Sequence, residues 1–160
     1  MLKVLLREAR NTESDAVLVL AWRSIPDVYH GLYTQSRENR PLTWSEHWKW
    51  WKSRHTWRIF IIQVNDGETT RDVGYLNIAQ LDHWRPEFGI AVSEVALWGQ
   101  GVAKQALLLG IEWLKEHGYR RVHTSIPKNN ERAIRLFKSV GFLVIGDARE
   151  DELEVELWID

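Results

Sequence analysis

The sequence has 160 residues, of which 44% are hydrophobic and 27% are charged, and this composition predicts one folded domain over residues 1–160. The net charge of −1 provides no electrostatic footprint for binding nucleic acid or an anionic membrane. Cysteine is absent, which excludes disulfides, thiolate metal sites and an acyl-cysteine intermediate. No apolar run approaches membrane-spanning length and the first eight residues lack a signal-peptide pattern, so we expect a cytoplasmic protein.

Strand and helix patterns alternate along the first half of the sequence. Thr12 and Thr43 each start a capping-box-like pattern, which is typical of a helix N-terminus, and Pro26 breaks the chain between the two helices. The turn at 65–67, Asn-Asp-Gly, predicts a hairpin. The predicted elements are a strand over 2–7, helices over 12–22 and 43–54, and strands over 58–64, 73–80 and 87–92.

The second half continues the alternation. Apolar residues recur at helical spacing after position 101, and Gly118 and Gly141 are placed to end the two helices. The predicted elements are a helix over 101–117, a strand over 121–126, a helix over 130–140, and strands over 142–145 and 153–159.

Two motifs follow one another in this half. The first is the turn Trp98-Gly99-Gln100-Gly101-Val102-Ala103, and the second is Asn130-x-x-Ala133-x-x-Leu136-Phe137 followed by Gly141-Phe142. A glycine-rich turn that enters a helix directs several backbone N–H groups at one spot, which suits a phosphate. Such a turn alone also serves close packing, and it is the second motif at this distance that favours a phosphate site. A Walker loop is excluded, because Ala103-Lys104-Gln105 stands where Gly-Lys-Ser/Thr would be needed.

The two motifs together resemble the acyl-CoA core of the GNAT acetyltransferase superfamily. The resemblance implies an α/β fold with a mixed, partly parallel central sheet that splays to admit acetyl-CoA, and transfer of its acetyl group by direct attack of an amine. It also implies that the fourth strand holds the pantetheine and the turn holds the pyrophosphate. The cofactor-binding residues carried over by position are Ile90, Ala91, Val92, Gly99, Gln100, Gly101, Val102, Ala103, Lys104, Asn130 and Phe137.

Two positions depart from the family pattern. Trp98 stands where the turn usually begins with Gln or Arg, and Phe137 stands where relatives carry a tyrosine that protonates the leaving thiolate. Phe137 cannot donate a proton, so that role is vacant or has moved to water or to another tyrosine such as Tyr75. A thiol with a pKa of about 8.5 is a tolerable leaving group without an acid.

Attack on the thioester requires a base, because an ammonium acceptor must first lose a proton. Glu87 heads the strand that would hold the thioester, in the context Glu87-Phe88-Gly89, and many relatives of the ribosomal-protein acetyltransferases carry a glutamate there. We therefore predict Glu87 as the catalytic residue, with a solvated strand-start carboxylate as the alternative. Weaker candidates are His83, Glu94 and the pair His123 and Ser125, which share one face of a strand.

The tryptophan-rich segment before the cofactor motifs suggests the acceptor. Its pattern Trp22-Arg23-Ser24-x-Pro26, then Leu32-Tyr33-Thr34, then Thr43-x-x-Glu46-His47-x-x-Trp50 resembles nucleotide-linked aminosugar N-acetyltransferases of pseudaminic-acid-type pathways. That resemblance makes Arg23, Tyr33 and His47 candidate acceptor contacts, and each could equally be structural.

Two other functions stay open from the sequence. Relatives acting on protein N-termini share a looser form of the tryptophan-rich pattern, so a protein or peptide amine is the alternative acceptor. A non-catalytic acyl-CoA-binding protein is the alternative to an enzyme. The resemblance implies a small-molecule amine partner and leaves a homodimer open. No metal site is predicted, because no two of the six histidines lie four apart on one helix.

Overall fold

The computed structural model describes residues 2–29, 40–53 and 56–160. In this part of the chain the strands are β1 (Lys3–Glu8), β2 (Arg58–Asn65), β3 (Thr70–Ala79), β4 (Glu87–Val92), β5 (Arg121–Pro127), β6 (Leu143–Arg149) and β7 (Glu152–Trp158). The helices are α1 (Glu13–Arg23), α2 (Pro26–Tyr29), α3 (Trp44–Lys52), α4 (Val102–Glu116) and α5 (Glu131–Ser139), and a 3₁₀ turn covers Val95–Leu97. None of the helices in the described residues is long and apolar enough to cross a membrane.

The strands form one mixed sheet in the order β1-β2-β3-β4-β5-β7-β6. All described neighbours pair antiparallel except β4 and β5, which run parallel. The predicted α/β class with a mixed, partly parallel sheet is confirmed. β7 inserts between β5 and β6, so the last strand of the chain lies beside the centre of the sheet.

Helices cover both faces of the sheet, because alternate strand residues point to opposite sides. On one face, residues such as Ile62, Leu76 and Phe88 pack against α4 and α5. On the other face, Ile61 and Tyr75 pack against α1, α2 and α3, where Trp22, Trp51 and Trp57 fill much of the core. Trp22 and Trp51 of the tryptophan-rich segment, and Trp57 just after it, are therefore core residues.

The parallel strands β4 and β5 diverge soon after they meet. Their one Cα pair is Glu87 with His123, and two further hydrogen bonds join them: the His123 N–H donates to the Pro86 carbonyl (3.0 Å) and the Thr124 hydroxyl donates to the Phe88 carbonyl (2.7 Å). Beyond Phe88 the inner edge of β4 has no described strand beside it. The sheet therefore opens into a cleft between its two halves.

Helix α4 packs tightly under this region. At Gly110 an added Cβ would lie 2.6 Å from Leu76 Cδ2 and 3.2 Å from Phe88 Cζ, closer than side chains normally approach. The absence of a side chain at Gly110 lets the helix approach the sheet, and the N-terminus of α4 consequently lies at the mouth of the cleft.

The local signals placed most elements within a residue or two of their observed limits. Thr12 caps α1 through Asp15 N, and Thr43 and Glu46 form the complete capping box of α3. β3 begins at Thr70, earlier than predicted, and β6 extends to Arg149 instead of ending at 145. The short helix α2 and the 3₁₀ turn were not predicted, because three- and four-residue helices carry too little periodicity to be recognised.

Candidate active site

The cleft between the diverging strands has a volume of about 650 Å³, within the usual range for small-molecule sites. Its walls are β4, the turn before α4, the start of α5 and the facing end of β5, with Glu152 and Arg149 from the last two strands. Of the predicted cofactor-binding residues, those that line the cleft are Ile90, Ala91, Val92, Gly99, Gly101, Val102, Ala103, Lys104, Asn130 and Phe137.

The end of β4 forms the first wall. Trp98 donates its indole N–H to the Val92 carbonyl (2.9 Å), so the tryptophan that replaces the usual polar residue ties the turn to the strand end. Above it, the Arg132 guanidinium lies 3.1 Å from the centre of the Trp98 ring. Trp98 thus connects β4, the glycine turn and α5 at the mouth of the cleft.

The glycine turn has the geometry that a phosphate site needs. Gly99 and Gly101 have φ values of 80° and 81°, a left-handed conformation that glycine adopts without strain, and a Cβ added at either would meet open space. No side chain caps α4, whose first backbone bond is Gln105 N to the Gly101 carbonyl. The N–H groups at this helix start are therefore available to an anion.

Gln100 is the predicted cofactor residue that does not line the cleft. Its N–H donates to the Leu97 carbonyl (3.2 Å) and its side-chain amide donates to the Ala96 carbonyl (2.8 Å). Both groups are therefore used within the turn itself.

The second motif forms the opposite wall. Asn130 is the N-cap of α5 and its side chain accepts from Ala133 N (3.2 Å), while Phe137 is buried edge-on against Phe142. The sequence pattern did not single out Arg132 and Arg135, which lie in the first two turns of α5 and line the cleft. Two cations next to an N-cap asparagine and a glycine turn suit the phosphates of an acyl-CoA, and the spacing within the second motif could have indicated them.

Glu87 lies at the inner end of the cleft, where β4 leaves β5. Burial raises the pKa of Glu87 above its ordinary value, the nearby His123 opposes this rise, and Glu154 adds to it. A carboxyl group with a raised pKa, exposed to a cleft, is suited to accept a proton from an amine. Glu152, which is almost fully buried, and Arg149 form an ion pair on the facing wall (2.5 Å).

The other candidate bases are placed differently. Glu94 is partly exposed and paired with Arg71 through two hydrogen bonds (3.0 and 2.9 Å), and that pairing lowers the pKa of Glu94. His83 is exposed in the loop before β4. Ser125 lines the cleft and donates to Glu154 (3.3 Å), and His123 is buried beside it.

The tyrosine considered as a substitute acid is buried on the other face of the sheet. Tyr75 is 4% exposed, and burial raises the pKa of its hydroxyl above the ordinary value. Tyr75 pairs with Ala91 across β3 and β4 and packs with the core beneath α1 and α3.

Two of the predicted acceptor contacts, Arg23 and His47, lie on that same face. Arg23 stacks on the Trp50 indole, with its Cζ 4.1 Å from the ring centre, and its Nη1 lies 3.4 Å from His47 Nδ1. His47 is fully buried and its Nε2 lies 2.7 Å from the Ala16 carbonyl. Neither Arg23 nor His47 lines the cleft as described, and Tyr33 lies outside the described residues.

Burial explains the protonation state of His47. It lowers the pKa of His47 to about 4; the hydrogen bond to Ala16 opposes this and the charge of Arg23 reinforces it. A neutral ring that donates from Nε2 leaves Nδ1 as an acceptor for the guanidinium. His47 therefore orients Arg23, and whether either residue contacts an acceptor stays a prediction.

In the described part of the chain no group of three His, Cys, Asp or Glu side chains is arranged to hold a metal ion. The donors that converge on the cleft are backbone N–H groups and arginines, and they fit a phosphate-bearing thioester. The cleft can place such a thioester beside a buried carboxyl group.

Known proteins are similar to this chain in sequence and in fold. An uncharacterised protein of Methanocaldococcus jannaschii is 39% identical over 150 residues, which cover 94% of this chain and 30% of that protein. The chain thus spans about 30% of the length of the curated relative it matches. The crystal structure of a domain from Methanocaldococcus jannaschii superposes with a TM-score of 0.91 at 38% identity, covering 99% of each chain.

A distant structure shares the fold and holds a ligand. Spermidine N-acetyltransferase from Vibrio cholerae, solved with CoA and spermine, superposes with a TM-score of 0.81 at 13% identity, covering 98% of this chain and 95% of that one. A family model described as the acetyltransferase (GNAT) domain matches residues 3–143. The chain therefore belongs to the GNAT acetyltransferase family.

Proposed function

We propose that this chain is an acetyl-CoA-dependent N-acetyltransferase and that it transfers the acetyl group to the primary amine of a nucleotide-linked aminosugar. The observation that carries the proposal is Arg23, a half-buried cation for which the described residues provide no carboxylate partner. Burial lowers the pKa of Arg23 and the nearby Tyr75 opposes that effect, yet a guanidinium stays charged in proteins. A desolvated cation of this kind is stabilised best by an anion.

The immediate surroundings of Arg23 are neutral. Trp50 contributes its ring face, His47 contributes a neutral acceptor, and Arg23 Nε is buried without a hydrogen-bond partner among the described residues. A phosphate oxygen would supply the missing acceptor, because the planar guanidinium matches phosphate geometry. Aromatic side chains of the same segment offer faces on which a sugar or a base can stack.

The positions of Arg23 and Glu87 suit an acceptor that carries both an anion and an amine. Arg23 interacts electrostatically with Tyr75, which lies opposite Ala91 on β4. Glu87 is four residues from Ala91 along the same strand, roughly 13 Å at the usual rise. A nucleotide-linked aminosugar carries its anionic phosphates and its amine on different parts of one molecule.

The chemistry then follows the geometry of the cleft. The acceptor ammonium gives one proton to the Glu87 carboxylate, and the nitrogen lone pair attacks the carbonyl carbon of the thioester. The C–N bond forms and the C–S bond breaks. The nitrogen gives its second proton to solvent water, and the CoA thiolate takes a proton from water. Phe137 lies where relatives would donate that proton, so solvent is the source that this site supports.

The test is acetyl-CoA turnover against a panel of UDP-linked aminosugars, free aminosugars and short peptides. We expect activity with the UDP-linked amines, and we expect Arg23→Ala to raise the acceptor KM by about tenfold to a hundredfold, since a hydrogen bond to a charged group contributes about 1.5–3 kcal/mol. The KM of acetyl-CoA should stay within about twofold of the wild-type value.

Two matched variants complete this experiment. Arg23→Lys keeps the charge but loses the planar fork, so it should recover only part of the affinity. Arg120→Ala removes an exposed arginine outside the cleft and should leave both KM values unchanged. Turnover of peptides without turnover of any UDP-linked amine would contradict the proposal and favour a protein N-terminal amine as the acceptor.

A further inference from the structure

His123 is a buried histidine whose two ring nitrogens both face oxygen atoms. Nδ1 lies 2.6 Å from Glu154 Oε1, and Nε2 lies 3.3 Å from Gln80 Oε1. Nδ1–H donates to the Glu154 carboxylate, which can only accept, and with the Gln80 amide placed with its oxygen towards the ring, Nε2–H donates as well. A ring that donates from both nitrogens is an imidazolium, which carries a positive charge.

The residue on the Nε2 side is held in a strained conformation. Gln80 has a φ of 57°, and among the described residues it is the one non-glycine residue with a positive φ. Such a conformation costs free energy and persists where the surrounding structure fixes it, often at functional sites. Gln80 directly follows β3, and its side chain is directed at the His123 ring.

Further contacts hold Glu154, the carboxylate partner of His123, in place. The second oxygen of Glu154 accepts from Ser125, which lines the cleft, and its first oxygen also pairs with Arg85 (3.3 Å). Arg85 in turn pairs with Glu156 (2.9 Å). Glu154 is therefore held by neighbours on several sides and keeps the imidazole in one orientation.

Glu87 is the group that this charge acts on. The Cα atoms of Glu87 and His123 pair across β4 and β5, and His123 is the largest influence that favours the ionised form of Glu87. Arg149 acts in the same direction, and Glu154 and Glu152 act against it. Burial also disfavours the charged carboxylate, so without a nearby cation the pKa of Glu87 would be raised further.

We propose that His123, held as an imidazolium by Glu154 and Gln80, is a positioning residue that keeps Glu87 ionised so that it can accept the proton of the acceptor amine. The inference rests on the role of Glu87 in the proposed function. In this step the ammonium proton moves to a Glu87 carboxylate oxygen and then to solvent water, while both ring protons of His123 stay in place.

Two NMR measurements on the CoA-bound protein test the proposal without any acceptor. Long-range ¹H–¹⁵N spectra, with His123 assigned by its loss in His123→Gln, should show both ring nitrogens protonated at about pH 7. In protein with ¹³C-labelled glutamate side chains, with Glu87 assigned by Glu87→Gln, the Glu87 titration midpoint should move to higher pH in His123→Gln. The sign follows because the substitution removes the cation that favours the carboxylate.

Turnover provides a third measurement once an acceptor has been found. In His123→Gln the acidic limb of the kcat/KM profile should move to higher pH, with about a tenfold loss near pH 6 and recovery to within about threefold near pH 9. The KM of acetyl-CoA should not change. A purely structural role for His123 would instead reduce activity equally at all pH values.

Two variants keep the proposal falsifiable. His117→Gln removes an exposed histidine at the end of α4 and should leave the Glu87 titration unchanged. If His123→Gln does not fold, Glu154→Gln removes the carboxylate partner instead, and the His123 ring should then become neutral at about pH 7. A neutral His123 in the wild-type protein, or a Glu87 midpoint that His123→Gln leaves unmoved, would overturn the proposal. Both NMR results are independent of whether an aminosugar is the acceptor.

Discussion

Glu87 is the residue on which the proposed chemistry depends. Burial raises its pKa, so its base form is lost as the pH falls through that raised value, and turnover should fall with it. We expect Glu87→Gln to lower kcat by roughly 10²- to 10⁴-fold, because glutamine has the same shape but cannot accept the proton. Stopped assays of acetyl-CoA consumption across pH, with calorimetric CoA binding, measure both effects.

The control for this substitution is Glu112→Gln, which neutralises an exposed carboxylate on α4. It should match the wild-type enzyme in both assays. Near-normal turnover by Glu87→Gln would remove the base role from this residue and leave proton removal to water or to another group in the cleft.

Some of the residues that line the cleft could be predicted from the sequence and others could not. Glu87 and Asn130 were predictable because each lies in a short local pattern: a strand start before a glycine, and the first residue of a second motif. Arg149 and Glu152 reach the cleft only because β7 inserts between β5 and β6. No local spacing encodes that strand order, so these residues and the partner of His123 required the structure.

The glycine turn and helix α4 act together as one element. The positive φ of Gly101 positions the helix start, and the uncapped N–H groups that follow carry the positive end of the helix dipole. Gly101→Glu adds a negative charge and a side chain at this point, so we expect it to remove most of the CoA affinity. Isothermal titration with CoA measures the loss.

Gly101→Ala is the matched variant, because it introduces the same backbone strain without the charge. A Cβ at this position meets open space, so alanine should cost stability through φ alone and weaken CoA binding much less than glutamate does. Equal losses in the two variants would mean that the turn acts through its backbone shape, and unchanged binding in Gly101→Glu would remove the turn from the site.

The starts of the helices show why helices and strands were easier to predict from the sequence than the contacts between them. Thr12 and Thr43 determine their helices through contacts within four residues, and such contacts are visible in the sequence. His47 stays a predicted acceptor contact on the resemblance of its segment, and only the structure shows that its ring is buried against Ala16 of another helix. Contacts between elements that are distant in sequence decide whether a side chain faces a core or a cleft.

At the scale of the whole molecule, the sheet consists of two parts joined weakly at the cleft. β1 to β4 are joined by continuous antiparallel pairing, and so are β5, β7 and β6, but the two sets meet at the single Cα pair Glu87 and His123. The predicted cofactor residues lie on both sides of this junction. A ligand that contacts residues on both sides should therefore restrain the two parts of the sheet from moving apart.

Hydrogen exchange with and without CoA tests this view of the molecule. A ligand at about 100 times its Kd stabilises the native state by about 2.7 kcal/mol, and the regions that it contacts should gain the most protection from local opening. We expect slower exchange at Ile90 to Val92, at 99–104 and at 130–137, and little change at the hairpin turn 65–69, which lies outside the cleft. Gly101→Glu provides the control, since it should abolish the protection on both walls together. Protection confined to one wall would show that CoA does not bridge the two parts of the sheet. The cleft would then bind only one end of CoA.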